Sequence, residues 1–160
     1  MSARVVTKKA FSIAGYEFKA NLQEIEEQEL GKQTLARLKE NGELVKSKVG
    51  EQIYLVQVYD MKPNFDPMVD PFTQVIGYEI SEAEDLPEDM ILHTVPENKY
   101  VTVTHEGLEK DLARTYDYLY GTWMKLNNCQ PAGYDFEIWD NRYKPGKPEN
   151  EIDLYVAITD

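Results

Sequence analysis

One order of secondary-structure signals occurs twice in this 160-residue chain, and the repetition limits the folds open to it. Residues 5–20 are rich in β-formers and are predicted to break at Gly15, and residues 21–42 are predicted to form a helix ending at Asn41 and Gly42. Two strand-like runs follow, IYLVQVYDM and TQVIGYEIS, on either side of a loop with three prolines. The first half is therefore predicted to have a β-α-β-β order.

The same order recurs after a polar break, SEAEDLPEDM. A strand around KYVTVTH leads into a helix predicted from Leu108 to Asn127, and the runs YDFEIWDNR and EIDLYVAIT then flank a loop with two prolines. A period of about 80 residues is too long for a stacked solenoid but suits two fused copies of one unit. We therefore expect a single α+β domain over residues 1–160, with pseudo-twofold halves of about 1–82 and 83–160.

Side-chain alternation predicts how the second half packs. The predicted helix carries an apolar stripe made by Leu108, Leu112, Tyr116, Leu119, Trp123 and Leu126. The last strand has an aliphatic face made by Ile152, Leu154, Val156 and Ile158. The same alternation places Phe136 and Ile138 beneath the helix and Glu137 on the opposite face with Trp139. The sequence thus predicts antiparallel sheets with helices on one face and a ligand groove on the other.

Glu137 lies between Phe136 and Ile138 in a strand that otherwise looks buried. A carboxylate in such a place is either exposed to water or held for a ligand, because an unpaired buried charge is costly. Superposing VQVYD on FEIWD puts Gln57 at the place of Glu137, and Tyr59 at the place of Trp139. A pseudo-twofold would bring these groups to one shared concavity.

Aromatic residues are frequent on the predicted strands. Tyr59, Tyr78, Trp139 and Tyr155 could form an aromatic box for an organic cation or a flat apolar molecule. Aromatic residues also occur on strands for packing reasons alone, so both readings stay open. Trp123 falls on the apolar helical stripe, which favours core packing.

The charge balance limits the partners of the chain. Its 17 basic and 29 acidic residues give a net charge of −12, which repels phosphate backbones and anionic membrane surfaces. No segment approaches the roughly 20 apolar residues that span a bilayer. The single cysteine, Cys129, excludes an internal disulfide and fits a reducing compartment. We expect a cytoplasmic protein with no direct nucleic-acid or membrane partner, whose acidic surface could bind a protein partner.

Motifs for metals, cofactors and nucleophilic catalysis are absent from the sequence. His93 and His105 stand alone in their segments, and His105 is predicted to serve a turn or helix cap. Cys129 has no neighbouring histidine and is predicted to be structural. Neither a glycine-rich phosphate loop nor GxSxG occurs. No metal and no cofactor are therefore predicted.

The run VTVTHEGLEKDLARTYDYLYGTWMKLNN, followed by FEIWD and finally EIDLYVAIT, resembles the GyrI-like domain, also called the AraC-type effector-binding domain. The resemblance implies two β-α-β-β units with a ligand groove between them, and the acidic pocket residue of the family matches Glu137. Trp123 matches a core or pocket-floor position. Trp139 stands where the family usually has Tyr, and the DNA-binding domain that many relatives carry is not expected in this chain.

The aromatic residues and Glu137 predict a module that binds hydrophobic, often cationic compounds, and the resemblance implies a stand-alone member that acts as a sensor or regulator of transcription or drug response. The predicted ligand-binding residues are Gln57, Tyr59, Tyr78, Trp123, Glu137, Trp139 and Tyr155. Two alternatives remain open. One, which the resemblance implies, is a hydrolase of strained electrophilic compounds, in which Glu137 would be the general base and Tyr155 would orient the substrate. The other is an acidic inhibitor or adaptor that binds a protein.

Overall fold

The computed structural model describes residues 2–159, which contain eight strands and several short helices. The strands are β1 (Arg4–Lys8), β2 (Phe11–Ala20), β3 (Lys48–Val58), β4 (Phe72–Ile80), β5 (Ile91–Val95), β6 (Asn98–Glu106), β7 (Gln130–Trp139) and β8 (Glu151–Thr159). The α-helices are α1 (Leu22–Glu27), α2 (Leu30–Glu40), α3 (Leu112–Asp117) and α4 (Met124–Leu126). A π-helical segment, Tyr118–Trp123, joins α3 to α4, and 3-10 turns occur at Gly42–Leu44 and Glu109–Asp111. No helix within residues 2–159 has the length and apolarity needed to cross a membrane.

All eight strands pair antiparallel in one sheet with the order β1-β6-β8-β7-β3-β4-β2-β5. If β1–β4 exchange places with β5–β8 one by one, the result is the same strand order read from the other end. This is the symmetry that a pseudo-twofold axis requires. At the centre of the sheet Val56 of β3 pairs with Phe136 of β7. The antiparallel α+β prediction is confirmed, with one continuous sheet in place of separate sheets. Each half has a β-β-α-β-β order, with one strand more than the predicted β-α-β-β unit, because two strands precede the helices in each half. The division into halves near residue 82 stays a prediction, which the symmetrical strand order supports.

The two ends of the sheet meet at a corner. Only two residues connect β1 to β2, and only two connect β5 to β6, although each connection joins strands from opposite ends of the sheet order. The pairing continues across the corner, since Lys8 pairs with Asn98 and Phe11 pairs with Val95. The rings of Phe11 and Phe136 are 5.3 Å apart, whereas three strand spacings of a flat sheet would separate them by roughly 14 Å. The sheet is therefore curled into a nearly closed form.

The curled sheet has two buried faces. The inner face carries no helix and is filled by aromatic side chains of Phe11, Tyr54, Tyr100, Phe136 and Tyr155. The outer face is covered by helices: Leu38 of α2 packs over the β2–β3–β4 part, and Leu119 and Trp123 of the π-helical segment pack over β6 and β8. Apolar burial on both faces supplies the main driving force for this fold.

Gly15 does not break the first strand, contrary to the prediction. It lies inside β2 and pairs with Gly77 of β4. A Cβ at position 15 would lie 2.0 Å from the carbonyl oxygen of Ile76 and 2.6 Å from the Cα of Gly77. The glycine is required by the close approach of two strands, so its sequence signal was a packing signal and not a turn signal.

The helical predictions need two corrections, and one strand was not predicted. The helix predicted over residues 21–42 is two helices, because Glu29 adopts a left-handed conformation with φ of 52° between α1 and α2. Its end at Asn41 is confirmed. Leu126, placed on the apolar stripe, is 80% exposed because it falls in the last turn of α4. The polar break after β4 is followed by β5, a strand that the sequence analysis missed.

A side-chain cap begins α1. The Asn21 side chain accepts a hydrogen bond from the Glu24 amide at 2.8 Å, and the Glu24 carboxylate accepts one from the Asn21 amide at 3.1 Å. Because α1 has no fully buried residue, Asn21→Ala is expected to lower the free energy of unfolding by about 1 kcal/mol in urea denaturation. The exposed Gln23→Ala change in the same helix is the control and should cost under about 0.5 kcal/mol. Equal losses would contradict a role for the cap.

Candidate functional site

Two acidic side chains lie inside the protein on neighbouring positions of one face of β7. Asp135 is 0% exposed and Glu137 is 3% exposed. Across the strand pairs, Glu137 lies opposite Leu55 of β3 and Leu154 of β8. Leu154 packs in the cluster covered by the π-helical segment, so Glu137 faces the helices as well. The prediction that Glu137 points away from the helices is wrong.

The reason for this error lies in the closure of the sheet. Phe136 and Ile138 point to the inner face and not to the helices, and that face is as apolar as the helix-covered one. When both faces of a strand are buried, alternation separates the two sets of side chains but does not say which set meets the helices. The groove expected on the helix-free face is filled by aromatic rings.

Glu137 has two hydrogen-bond donors, and both are neutral. The Tyr116 hydroxyl of α3 donates to Oε2 at 2.5 Å, and the Trp139 indole donates from Nε1 to Oε1 at 2.9 Å. Burial raises the pKa of Glu137 to about 7, although both hydrogen bonds act in the opposite direction. The nearby charges of Asp135 and Glu109 raise this pKa further. Glu137 is thus a carboxyl group that gains and loses its proton near neutral pH.

Asp135 is held by three donors. The Gln57 amide donates from Nε2 to Oδ1 at 2.7 Å, and the hydroxyls of Tyr59 and Tyr120 donate to Oδ2 at 2.9 and 2.6 Å. Burial raises the pKa of Asp135 to about 6, against the effect of these hydrogen bonds. Within residues 2–159, neither carboxylate has a positively charged partner among its hydrogen bonds.

The two acids belong to one hydrogen-bonded network. The Gln57 amide that binds Asp135 also donates to the Tyr116 hydroxyl at 3.1 Å, and Gln74 donates to Gln57 Oε1 at 2.8 Å. Among the described residues no buried side-chain polar atom lacks a partner. Burial raises the pKa values of Tyr59, Tyr116 and Tyr120 well above 10, so these hydroxyls remain donors at neutral pH.

The helical residues of the network come from one helical surface. Tyr116 and Tyr120 are four positions apart, so they project from the same side of the helical segment. Their rings stack with centroids 6.4 Å apart. Both hydroxyls reach down to β7. Tyr116 was predicted to belong to the apolar stripe, and Asp135 and Tyr120 were not predicted as site residues. Two tyrosines four positions apart above an Asp-x-Glu strand are the sequence signal that indicates them.

A cavity of about 440 Å³ opens beside Trp139. Its walls include Leu35 and Lys39 of α2, Gln52 and Ile53 of β3, and Trp139 and Tyr143. The Trp139 ring stacks on Tyr143 with centroids 4.8 Å apart and an interplanar angle of 8°. Trp139 lines the cavity and also binds Glu137, whereas Glu137 does not line the cavity. The indole therefore stands between the cavity and the carboxylate.

The structure brings some of the predicted site residues together. Gln57, Tyr59, Glu137 and Trp139 belong to the network or contact it directly. Gln57 and Glu137 point to the same face, as the superposition of the two halves required. Their roles in ligand binding stay predictions.

Three predicted site residues lie outside the network. Tyr155 stacks on Phe136 on the inner face with centroids 4.8 Å apart, so it does not lie beside Glu137, where the hydrolase alternative needs it. Tyr78 packs in the outer-face cluster that contains Leu38 of α2. Trp123 packs in the other outer-face cluster, which joins the π-helical segment to β6 and β8. Strand alternation explains Tyr155, because Asp153 and Tyr155 point away from the face of Leu154.

His105 and Cys129 have structural surroundings. His105 contacts the Leu108 carbonyl oxygen through Nε2 at 3.0 Å and the Thr115 hydroxyl through Nδ1 at 2.7 Å, which ties the turn after β6 to α3 and agrees with the predicted turn role. Cys129 is partly buried and packs against the outer-face cluster that contains Leu119 and Trp123. Within residues 2–159 no group of three His, Cys, Asp or Glu side chains is placed to hold a metal ion.

Comparisons with known proteins agree with this architecture. The family model Cass2, described as integron-associated effector binding protein, matches residues 4–158. The transcriptional regulator BrlR of Pseudomonas aeruginosa is 30% identical over 160 residues, which cover 99% of this chain and 56% of BrlR. The chain therefore spans little more than half the length of that relative.

Two solved structures share the fold at low sequence identity. SAV2435 bound to tetraphenylphosphonium has a TM-score of 0.69 and 11% identity, with 99% of this chain and 94% of that chain covered. The EcmrR chain from an EcmrR–DNA complex has a TM-score of 0.70 and 15% identity, with 98% of this chain and 57% of that chain covered. The chain belongs to the Cass2 family of integron-associated effector binding proteins, and is a GyrI-like effector-binding domain related to transcriptional regulators.

Proposed function

We propose that this domain binds hydrophobic organic cations at Glu137 and acts as a sensor or regulator that responds to them. One observation carries the proposal: a buried carboxylate with only neutral donors lies directly behind an aromatic wall of a cavity. A buried negative charge without a counter-ion is costly to maintain. A cation that reaches it is attracted more strongly than in water, because the surroundings have a low dielectric constant.

The route to Glu137 passes Trp139. A rotation of the indole away from Tyr143 would open the cavity to the carboxylate and release Oε1 as an acceptor. The faces of Trp139 and Tyr143 would then border the cation, and aromatic faces attract positive charge. The apolar walls of Leu35 and Ile53 would contact the hydrophobic groups of the ligand. A compound that is both lipophilic and cationic satisfies these surfaces together.

The relatives support the choice of probe. SAV2435, which shares the fold, was solved with tetraphenylphosphonium, a lipophilic cation whose charge is permanent. BrlR is a transcriptional regulator, which supports a regulatory output for this domain.

Isothermal titration calorimetry with tetraphenylphosphonium tests the proposal. The natural protein is expected to bind this cation, and Glu137→Gln is expected to lower the affinity about 30-fold or more, because the change removes a desolvated charge and keeps the side-chain shape. Triphenylphosphine oxide, a neutral compound with similar rings, is expected to bind both proteins equally.

Glu79→Gln is the matched control for this experiment. Glu79 accepts a hydrogen bond from the Tyr54 hydroxyl at 2.8 Å, so its surroundings include a tyrosine donor like those of Glu137. Both variants replace one carboxyl group with an amide, but Glu79 lies on β4 beside the inner-face residue Tyr54. Equal loss of affinity in both variants, or equal loss for the cation and the neutral compound, would contradict a cation site at Glu137.

Hydrolysis of strained electrophiles is the second candidate, and the raised pKa of Glu137 supports it, since a general base works best with a pKa near the operating pH. Each Glu137 oxygen accepts one hydrogen bond, from Trp139 or from Tyr116, so displacing either donor would free the carboxylate to take a proton from water. Mass spectrometry of epoxide-containing compounds incubated with the protein distinguishes the two functions. A hydrolase adds the mass of water to the compound, whereas a binding domain returns it unchanged.

A further inference from the structure

We propose that an organic cation enters this site in exchange for a proton, which the Asp135–Glu137 pair holds in the ligand-free protein and releases to solvent on binding. This inference rests on the function proposed above and concerns how that same site is regulated. It assigns a role to Asp135, which the cation-binding proposal itself does not use.

The geometry of the pair is the first argument. Asp135 and Glu137 occupy alternate positions of β7, so their Cα atoms are about 7 Å apart and their side chains share one face. Both are enclosed, and both are joined to the same Gln57–Tyr116 link. Two carboxylates placed in this way oppose each other's ionisation.

The second argument is that, on the described residues, no positively charged side chain is among the groups around the pair. On the described residues, the groups around the pair are Leu55 and Gln57 of β3, Tyr59 just after β3, Gln74 of β4, Leu154 and Val156 of β8, Tyr116 of α3, Tyr120 of the π-helical segment, Glu109, Trp139 and Tyr143. The one charged member of this set, Glu109, is an acid. Lys39 borders the cavity, and Arg142 binds Asp140 and Asp153.

Protonation is therefore the means by which the ligand-free pair can lose negative charge. Burial raises the pKa of Glu137 to about 7 and that of Asp135 to about 6, so close to neutral pH the pair retains roughly one proton. When a permanently charged cation binds beside Glu137, that proton is no longer needed and leaves for solvent. The charges balance, because the organic cation brings one positive charge into the site and the proton takes one away. The total charge of the acid pair and its bound cation therefore stays the same.

The sign of the pH dependence follows from this exchange. At low pH both carboxyls are protonated, and the cation must displace protons that are held strongly. As the pH rises through about 7, Glu137 ionises in the free protein and the affinity for the cation increases. Above about pH 8 the proton has already left, so the affinity levels off.

Calorimetry at one pH in two buffers measures the exchange. Tetraphenylphosphonium is the probe, because it has no titratable group and every proton released must come from the protein. Phosphate and Tris have different enthalpies of ionisation. The binding enthalpies measured near pH 7 in the two buffers are therefore expected to differ by that difference multiplied by about half to one proton released per ligand. The affinity is expected to rise by up to about tenfold per pH unit between about pH 5 and 7.

Two variants assign the proton to the pair. Asp135→Asn removes one of the coupled acids, so it is expected to release fewer protons and to shift the rise in affinity toward lower pH. Glu79→Gln, on another strand, is expected to behave like the natural protein in both respects. A pH profile unchanged by Asp135→Asn would overturn the role given to Asp135.

The outcomes also separate this inference from the proposed function. Binding that is independent of pH and equal in heat in both buffers overturns the exchange and leaves the cation site intact. Absence of binding at every pH overturns both. Carbon-13 NMR of labelled Asp and Glu carboxyls in the ligand-free protein adds an independent measurement: a buried carboxyl that keeps its proton above about pH 6 supports the exchange, and ionisation of both at ordinary pH values overturns it.

Discussion

Glu137→Gln is expected to gain stability over the natural protein as the pH rises, with its relative free energy of unfolding increasing by about 2–3 kcal/mol between about pH 5 and pH 8. The folded protein holds the Glu137 proton with a pKa of about 7, and an unfolded chain releases it near 4.5. A folded-state pKa above the unfolded value means that the folded state binds more protons in this window. Stability is therefore lost as the pH rises from the unfolded value through the folded one.

Urea denaturation of both proteins at several pH values measures this difference. Glu79→Gln again serves as the control, because it removes one acid elsewhere in the sheet, outside the hydrogen-bonded network of Asp135 and Glu137. Asp135→Asn should act in the same direction as Glu137→Gln, at lower pH, since the pKa of Asp135 is raised from 3.8 to about 6. Parallel stability curves for the natural protein and Glu137→Gln would contradict the raised pKa.

Such a cost in stability is what a binding site placed in the interior should show. A leucine or methionine at position 137 would match the apolar surroundings set by Leu55 and Leu154 and would avoid burying a charge. Residues that lower stability without aiding the fold are concentrated at functional sites, because a ligand that binds the folded state repays the cost. The acid pair therefore fits a role in binding better than a role in folding.

Local signals in the sequence predicted much of the fold. β8 agrees with the EIDLYVAIT run because a strictly alternating pattern bounded by a proline-rich loop has few other interpretations. The repeat predicted the pseudo-twofold, and the pairing of Val56 with Phe136 agrees with the superposition of VQVYD on FEIWD. These features depend on residues close together in the chain or on direct comparison of two segments.

Features that depend on distant contacts were not predictable in this way. β5 is five residues long and forms only by pairing with β2, about 80 positions earlier in the chain. The buried state of Asp135 requires donors from β3 and from the π-helical segment at once. The face occupied by Glu137 depended on the curling of the whole sheet. A pattern in one strand contains none of this information.

Phe136→Ala is expected to lower the free energy of unfolding by about 3–5 kcal/mol, which is the range for truncating a fully buried aromatic side chain. Phe136 lies on the pseudo-twofold axis, and its ring is 4.8 Å from Tyr155, 5.3 Å from both Phe11 and Tyr100, and 6.0 Å from Tyr54. These rings come from five different strands. Removing Phe136 would leave a cavity where the two ends of the curled sheet approach each other.

Phe136→Leu is the milder change at the same position, and it tests whether the cost of Phe136→Ala comes from the lost volume. The leucine keeps more of the apolar contact than alanine does and is expected to cost clearly less than Phe136→Ala in urea denaturation, because it leaves a smaller cavity. Because Phe136 points to the inner face and Glu137 to the helix-covered one, Phe136→Leu should bind tetraphenylphosphonium as the natural protein does, and Tyr155→Phe should as well. A loss below about 1.5 kcal/mol for Phe136→Ala would contradict the role of the aromatic cluster in closing the sheet. A loss of binding in Tyr155→Phe would instead place the ligand on the inner face.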